Sequence, residues 1–415
     1  MAVDLVIENA VLVGRSGLWT IAIDGGVIIE ISHAPIAAAI DSLDAAGKLV
    51  VPGLVDAHIH LDKAFLLNQA PAQVGDFGEA LALTLQLKEQ YTVTDIQRRA
   101  SAALERAISF GITAMRSHVE VDPILGVMSL EALLPLQQVY AWGLTLQLAI
   151  FAQEGITNRP GTATLLRKAM AMGGTVIGSA PYVDPDPQRN IEIVFDIAQE
   201  FDCDVDFHLD FLDDDAPLHV PIVIEETHKR GWQGRVCLGH MTKLASLSPQ
   251  ALAVIAASLQ AADIAVLSLP ASDLYMMSRR DTHNVRRGVA PLYRLGELGV
   301  TVGTATNNIQ NLFTPFGDGD VLKIGTLLAQ VLQLGTTTSH EFCMDAVTAQ
   351  AARTIGITNY GVNPGCAADL VLLEATSVSE AIATAPPNRT VLKAGQIIAQ
   401  TKLNQPVWQG KRLEN

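Results

Sequence analysis

Eight apolar segments alternate with longer stretches of helical character through this 415-residue chain, and that alternation constrains its fold most. Between the apolar segments, stretches such as 94–109 and 192–200 mix Ala, Gln and Glu with apolar residues, as amphipathic helices do. Short strands that are buried on both faces and separated by helices indicate a parallel sheet. Eight such units over about 300 residues predict a (β/α)8, TIM-like barrel. The predicted strands are 49–60, 112–121, 144–153, 176–181, 205–210, 235–240, 264–270 and 300–307.

Both ends of the chain differ from the middle, because they read as short strands joined by tight turns. The hairpin at 21–29 contains Asp-Gly-Gly between apolar runs, which is a strong local hairpin signal. We therefore expect residues 1–54 and 360–415 to form a small β-sandwich domain built from both termini, and residues 55–359 to form the α/β barrel. The other predicted pieces are strands 5–7 and 11–13 around a turn at 8–9, a strand at 368–373 and a hairpin at 391–398.

Composition and charge exclude several classes of function. Hydrophobic residues make up 49% of the chain and charged residues 17%, so a sizeable buried core is expected. A formal net charge of −15 argues against a nucleic-acid groove, which needs a basic surface. The most apolar longer stretch, 130–152, contains one glutamate and three glutamines, which argues against a membrane span. We expect a soluble cytoplasmic enzyme without nucleic-acid or membrane partners, and the sequence leaves homo-oligomer formation open.

Five of the ten histidines fall at the ends of predicted strands, where the chemistry of such barrels is placed. His58 and His60 are two residues apart, so their imidazoles point to the same face and can reach one cation. A single histidine at a strand end is more often a satisfied core group. Five at the same level of a barrel favour a metal site, and the other three are His118, His208 and His240.

The motifs around these histidines resemble a known family. The stretch 51–63, VPGLVDAHIHLDK, looks like the first-strand signature of the amidohydrolase superfamily. RSHVEV at 116–121 and FAQEGI at 151–156 are similar to the bacterial cytosine deaminase branch. NNI at 307–309, followed by TPFG at 314–317, resembles the branch that hydrolyses N-isopropylammelide, a substituted triazine. The resemblance implies the barrel fold, one divalent zinc or iron ion per chain, and hydrolysis of a carbon–nitrogen bond in a small nitrogen heterocycle.

The resemblance also assigns roles to individual residues. It implies that His58, His60 and His208 bind the metal and that His240 contacts its water. The substrate would be bound by Gln153, His118, Phe211 and Asn308.

Two positions depart from the family pattern. Phe211 stands where cytosine deaminases have a glutamate that protonates the ring, which changes the expected substrate. Asn307 stands where the superfamily has an aspartate that binds the metal and accepts a proton. An amide cannot move protons, and general acid–base transfer is worth roughly 10²–10⁴-fold in rate. We expect His240 to take over this role, with Asp210 second, although Asp210 could equally orient a neighbouring histidine.

Two hypotheses follow for the function. The first is a working hydrolase or deaminase that acts on a pyrimidine- or triazine-like ring through a metal-activated water. The second is a catalytically impaired relative that keeps the pocket for binding or regulation, because the strand-eight aspartate is Asn307. Retention of all five strand-end histidines together with Gln153 favours the enzyme.

Overall fold

A computed structural model of the chain describes residues 2–35, 38–211 and 214–403. The strands are β1 (Val3–Leu12), β2 (Trp19–Asp24), β3 (Val27–Ser32), β4 (Ala39–Asp44), β5 (Leu49–Pro52), β6 (Leu54–Ile59), β7 (Ile112–Glu120), β8 (Thr145–Ala152), β9 (Val176–Ser179), β10 (Asp204–Leu209), β11 (Val236–His240), β12 (Ile264–Ser268), β13 (Val302–Thr304), β14 (Leu370–Leu373), β15 (Arg389–Lys393) and β16 (Gln396–Thr401).

Helices cover most of the chain between the barrel strands. They are α1 (Phe77–Lys88), α2 (Val93–Ser109), α3 (Met128–Val139), α4 (Thr162–Met172), α5 (Pro187–Phe201), α6 (Val220–Arg230), α7 (Pro249–Ala261), α8 (Pro270–Met276), α9 (Leu292–Glu297), α10 (Val321–Leu332), α11 (Thr337–Asp345), α12 (Ala349–Thr354) and α13 (Val378–Thr384). Within the described ranges, none of them has both the length and the apolar character needed to cross a membrane.

Strands β6 to β13 form one parallel sheet in which each strand pairs with the next along the chain. A parallel bridge between Ile59, at the end of β6, and Asn307, after β13, brings the first and last strands together. The predicted (β/α)8 barrel is therefore confirmed. Strand β13 is only three residues long, so Asn307 lies in the loop beyond it rather than inside the predicted strand 300–307.

The first predicted strand, 49–60, is wrong as a single element, because it divides at Gly53. Its first part, β5, pairs with β14 and β1 in the terminal sheet, whereas its second part, β6, pairs with β7 in the barrel. A Cβ atom at Gly53 would lie 2.1 Å from Oγ1 of Thr113. Only glycine fits this close crossing between the two sheets, and apolar patterning does not reveal it.

The small β domain is assembled from both termini, as predicted. Its strand order is β16-β15-β14-β5-β1-β2-β3, and β4 also pairs with β1. The hairpins β2–β3 and β15–β16 are both present. The predicted turn at 8–9 is wrong, because β1 continues through it as one strand. Asn9 adopts a φ of 55° at a bulge there, so the chain bends without reversing.

Candidate active site

Three of the strand-end histidines converge at the mouth of the barrel. Nε2 of His208 lies 3.1 Å from Nε2 of His58 and 3.1 Å from Nε2 of His60. All three side chains are buried, with 2% exposure or less. Burial, followed by neighbouring cationic groups, lowers the pKa of each well below its usual value. They are therefore neutral imidazoles, which is the form that binds a metal.

Local packing explains how these rings come so close. A Cβ atom at Gly239 of β11 would lie 3.1 Å from the ring of His58, so a larger residue there would displace the histidine. Phe151, at the end of β8, stacks on His208 with ring centroids 4.7 Å apart and an interplanar angle of 11°. The backbone N–H of His60 donates to the carbonyl of Asn307 at 2.9 Å, which ties it to the loop after β13.

The donor set fits a divalent metal. Two nitrogens bound to one zinc ion at about 2.0–2.1 Å lie roughly 3.3 Å apart at a tetrahedral angle, close to the separations from His208. A second triad overlaps this one, because ligand atoms of His58, His118 and His208 all lie within 4.8 Å of one another. The direct 3.1 Å approach of His60 to His208 favours His60 as the third ligand. Such an ion would supply Lewis-acid activation of water.

His118 is not in the place that its predicted contact with substrate requires. It is fully buried and stacks on His58 with ring centroids 3.8 Å apart, but it does not line the cavity above the histidines. Its Nε2 lies 3.3 Å from Oδ1 of Asp206, which also pairs with Arg116 at 2.9 Å. Burial raises the pKa of Asp206, but His118 and Arg116 hold it below its usual value. This arrangement indicates that His118 packs against the ring of His58 and holds it in position.

His240 is paired with a carboxylate that sequence reasoning missed. Its Nδ1 lies 2.7 Å from Oδ1 of Asp273, and the other carboxylate oxygen accepts the backbone N–H of Leu269 at 3.2 Å. Burial raises the pKa of Asp273 above its usual value, and the neighbouring His240 opposes that rise. A carboxylate at Nδ1 places the ring hydrogen there and leaves a lone pair on Nε2. The only sequence signal was an acidic residue in an otherwise apolar segment after strand seven.

Asn307 is held by a hydroxyl group. Its Nδ2 donates to Oγ of Ser272 at 2.7 Å, while its Oδ1 is buried without a hydrogen-bond partner among the described residues. Its φ of 59° is in the left-handed region, which asparagine tolerates better than most residues. The side chain therefore presents a carbonyl oxygen, a neutral group that can bind a metal or its water.

The orientation of these amides follows from a chain of hydrogen bonds in the loop after β13. Oδ1 of Asn311 accepts two backbone N–H groups of the next turn, at 3.0 Å each. Nδ2 of Asn311 therefore donates to Oδ1 of Asn308 at 2.6 Å, and Nδ2 of Asn308 approaches Oγ of Ser272 at 3.5 Å. Ser272 thus accepts a good hydrogen bond from Asn307 and a long approach from Asn308, and Asn311 orients the amide of Asn308.

The structure places Asp210, the second candidate for proton transfer, at the start of α6. Its carboxylate accepts the backbone N–H groups of His219 at 2.7 Å and Val220 at 3.1 Å, at the start of α6. A φ of 45° turns the chain away from the strand direction at Asp210, so its alternation with His208 is broken. Asp210 therefore caps a helix, and His240 is left as the nearer candidate for proton transfer.

A small cavity of about 20 Å³, well below the usual range for small-molecule sites, lies above the histidines. It is lined by His60, Lys63, Phe77, Gln153, Tyr182, His208, Phe211, His240, Ser272, Met276, Asn307, Asn308 and Phe313. The aromatic rings form one wall: Phe77 lies 5.8 Å from Phe211 and 6.0 Å from Phe313, centroid to centroid. This wall suits a flat ring. A larger surface cavity near Lys243 and Arg287 lacks histidine, so we place the chemistry here.

Lys63 is the second residue that sequence reasoning missed. It follows His60 in a short 3-10 turn, Leu61–Lys63, and only 2% of its surface is exposed. Its Nζ lies 3.4 Å from Oε1 of Gln153 and 3.4 Å from Oε1 of Glu120. The lysine was visible in the motif at 51–63, but a lysine after a strand is usually solvated, so the sequence held no signal for its burial.

Comparison with known proteins identifies related enzymes over nearly the whole chain. N-isopropylammelide isopropyl amidohydrolase of Pseudomonas sp. strain ADP is 28% identical over 411 residues, covering 96% of this chain and 98% of that protein. Pterin deaminase of Rhizobium rhizogenes is 26% identical over 385 residues, covering 91% and 87%. The crystal structure of 5-methylcytosine deaminase from Klebsiella pneumoniae liganded with 5-fluorocytosine superimposes with a TM-score of 0.91 at 28% identity, covering 97% of this chain and 99% of that one.

The amidohydrolase family profile matches residues 78–399, which is most of the chain, although the match begins after His58 and His60. The resemblance noted from the sequence is confirmed. This chain belongs to the amidohydrolase family and is, as predicted, a hydrolase of carbon–nitrogen bonds other than peptide bonds.

Proposed function

We propose that this enzyme hydrolyses an exocyclic carbon–nitrogen bond of a small aromatic nitrogen heterocycle, releasing ammonia or an amine. The observation that carries the proposal is the convergence of three buried imidazole nitrogens beneath a cavity with an aromatic wall. The related proteins named for ammelide, pterin and 5-methylcytosine substrates all act on such rings, which supports this substrate class.

The metal ligands in this proposal are His58, His60 and His208, with one zinc or iron ion per chain. When bound, the ion lowers the pKa of a water molecule to about 7. Asn307 lines the same cavity and its Oδ1 is a neutral oxygen, so it adds no negative charge to the site. A site with less ligand charge binds its metal less tightly but polarises the water more strongly.

His240 moves the proton in this scheme. Nε2 of His240 accepts a proton from the water as the oxygen bonds to the ring carbon, and Asp273 stabilises the imidazolium through Nδ1. The same Nε2 then returns the proton to the leaving nitrogen as the carbon–nitrogen bond breaks. One histidine thus performs both transfers, so the amide at Asn307 need not carry a proton.

The ring lies against the wall formed by Phe77, Phe211 and Phe313, and its polar edge contacts Gln153 and Asn308. Phe211 stands where cytosine deaminases have a glutamate, so this edge of the cavity is apolar. The site therefore favours rings that need no protonation by a carboxylic acid at that edge.

A screen of pyrimidines, triazines, pterins and cyclic ureas for ammonia or amine release tests the proposal. We expect release from at least one ring by the metal-loaded enzyme, and loss of that activity in His208→Ala. His228→Ala, which changes an exposed histidine, is the matched control. If the fully metal-loaded protein binds rings of this class but releases nothing from any of them, the binding or regulatory alternative replaces this proposal.

A further inference from the structure

Lys63 places a cationic donor in the wall of the active-site cavity, beside the aromatic rings. Its Nζ lies 5.4 Å from the centroid of Phe151 and 5.2 Å from that of Phe313. Burying a lysine in such surroundings is costly unless its hydrogen-bonding capacity is used. Lys63 lies within one turn of His60, and both residues line the same cavity.

The hydrogen bonds of Lys63 are few and long. An ammonium group has three N–H donors, and only two acceptors approach it, both at 3.4 Å. Good N–H···O bonds are about 2.7–3.2 Å long. One of the acceptors, Oε1 of Glu120, also receives Nζ of Lys88 at 3.2 Å, so it is shared. Within residues 2–35, 38–211 and 214–403, the third donor of Lys63 has no partner, and it is available to a ligand.

Gln153 extends this donor surface. Because Nζ of Lys63 cannot accept a hydrogen bond, the oxygen of the Gln153 amide faces it and the NH₂ group points elsewhere. Tyr182 also lines the cavity. Lys63 and Gln153 both line the cavity, so each can offer an N–H donor to an acceptor on a ligand there.

We propose that Lys63 is a substrate-binding residue that selects rings carrying an oxo group over rings that carry only amino groups. This inference rests on the proposed function, since it takes the cavity to be the ring site. A ring oxygen, or its anionic form, completes the coordination of Lys63, whereas an amino group would place N–H donors against N–H donors. Hydrogen bonds to charged groups are worth enough to give about a 10- to 100-fold preference.

Calorimetric titration of the metal-loaded, full-length protein with cyanuric acid and with melamine tests this selection. The two ligands share one triazine ring with threefold symmetry, and their three exocyclic groups are all oxygen in cyanuric acid and all amino in melamine. We expect the wild-type protein to bind cyanuric acid at least tenfold more tightly than melamine. Lys63→Met should abolish this preference while leaving metal content and melamine affinity unchanged.

Lys243→Met is the matched control, because Lys243 is also buried but pairs with Asp214 and the carbonyl of Ala216 outside the cavity. It should retain the wild-type preference. If Lys63→Met does not fold, Lys63→Gln replaces it, and we expect the preference to fall there too. Equal wild-type affinities, no binding of either ring, or a preference that survives loss of Lys63 would each overturn the inference. Since binding is measured without turnover, its outcome is separate from that of the hydrolysis screen.

Discussion

Asn307 donates its side-chain N–H to the hydroxyl of Ser272 at 2.7 Å, and its amide oxygen has no hydrogen-bond partner among the described residues. This bond links the loop after β13 to the helix after β12. It fixes the orientation of the Asn307 side chain, at the position that differs from the family pattern. The asparagine is therefore built into a network of hydrogen bonds, which favours adaptation over a damaged site.

The first prediction concerns Asn307→Asp. A carboxylate there would accept a hydrogen from Ser272, whose hydroxyl would have to turn away from its partner Thr314. The added charge should also tighten metal binding and raise the pKa of the activated water. We therefore expect stronger metal retention and no gain in kcat on the best ring from the screen. An increase in kcat of about 10²-fold would instead show that the asparagine is a lesion in a standard site.

Ser272→Ala should weaken metal binding, because the amide of Asn307 loses its acceptor and can rotate. Outer groups that orient metal ligands typically contribute about 10- to 100-fold in affinity, so we expect roughly a tenfold loss in chelator competition. Ser268→Ala removes another buried hydroxyl, one with no partner among the described residues, and serves as the control. Equal affinities in both variants and in the wild type would contradict the orienting role of Ser272.

Metal content distinguishes the two overlapping histidine triads. Single alanine variants of His58, His60 and His208 should each hold well below one equivalent of metal by elemental analysis. His118→Ala should keep more than half an equivalent of metal, since His118 holds the ring of His58 in position and does not itself bind the metal in this proposal. Full metal occupancy in the His58 and His208 variants would contradict the proposed metal site. If His118→Ala loses the metal and His60→Ala keeps it, His118 rather than His60 is the third ligand.

Asp273→Asn should lower kcat by roughly 10²–10⁴-fold with little change in metal content, because an amide no longer fixes the hydrogen of His240 on Nδ1. The matched variant is Asp210→Asn, in which asparagine can still cap α6. It should leave kcat within a few-fold of wild type and change stability little, because asparagine and aspartate cap helices about equally well. A larger loss of kcat in Asp210→Asn than in Asp273→Asn would return Asp210 to the catalytic role predicted from the sequence.

Deletion of residues 1–45 should give insoluble protein even though every barrel strand remains. Strand β1 pairs with β2, β4 and β5, so its removal leaves β5 with an unpaired edge and exposes the apolar core beneath it. The soluble fraction and a thermal melt measure the effect. A soluble truncation that unfolds cooperatively would show that the barrel does not depend on the shared sheet.

The strand-end histidines were predictable because each sits at a pattern that is local in sequence. An apolar run followed by a polar residue locates the end of a barrel strand, and His58 and His208 follow this rule. The contacts of the Asp210 carboxylate were not predictable in this way. Alternation along β10 holds only while the backbone stays extended, and the positive φ at Asp210 ends it.

The sequence by itself determined the number and order of the barrel strands, the pairing of the two termini and the set of histidines at the barrel mouth. Only the tertiary structure decided which polar groups meet these histidines. Lys63 contacts Gln153, which is 90 residues away in the sequence, and Asp273 contacts His240, which is 33 residues away. Periodicity reports whether a residue is buried, because burial follows the local repeat of the strand or helix. It does not report which buried side chain of another strand or loop a residue contacts, because that depends on how the barrel closes.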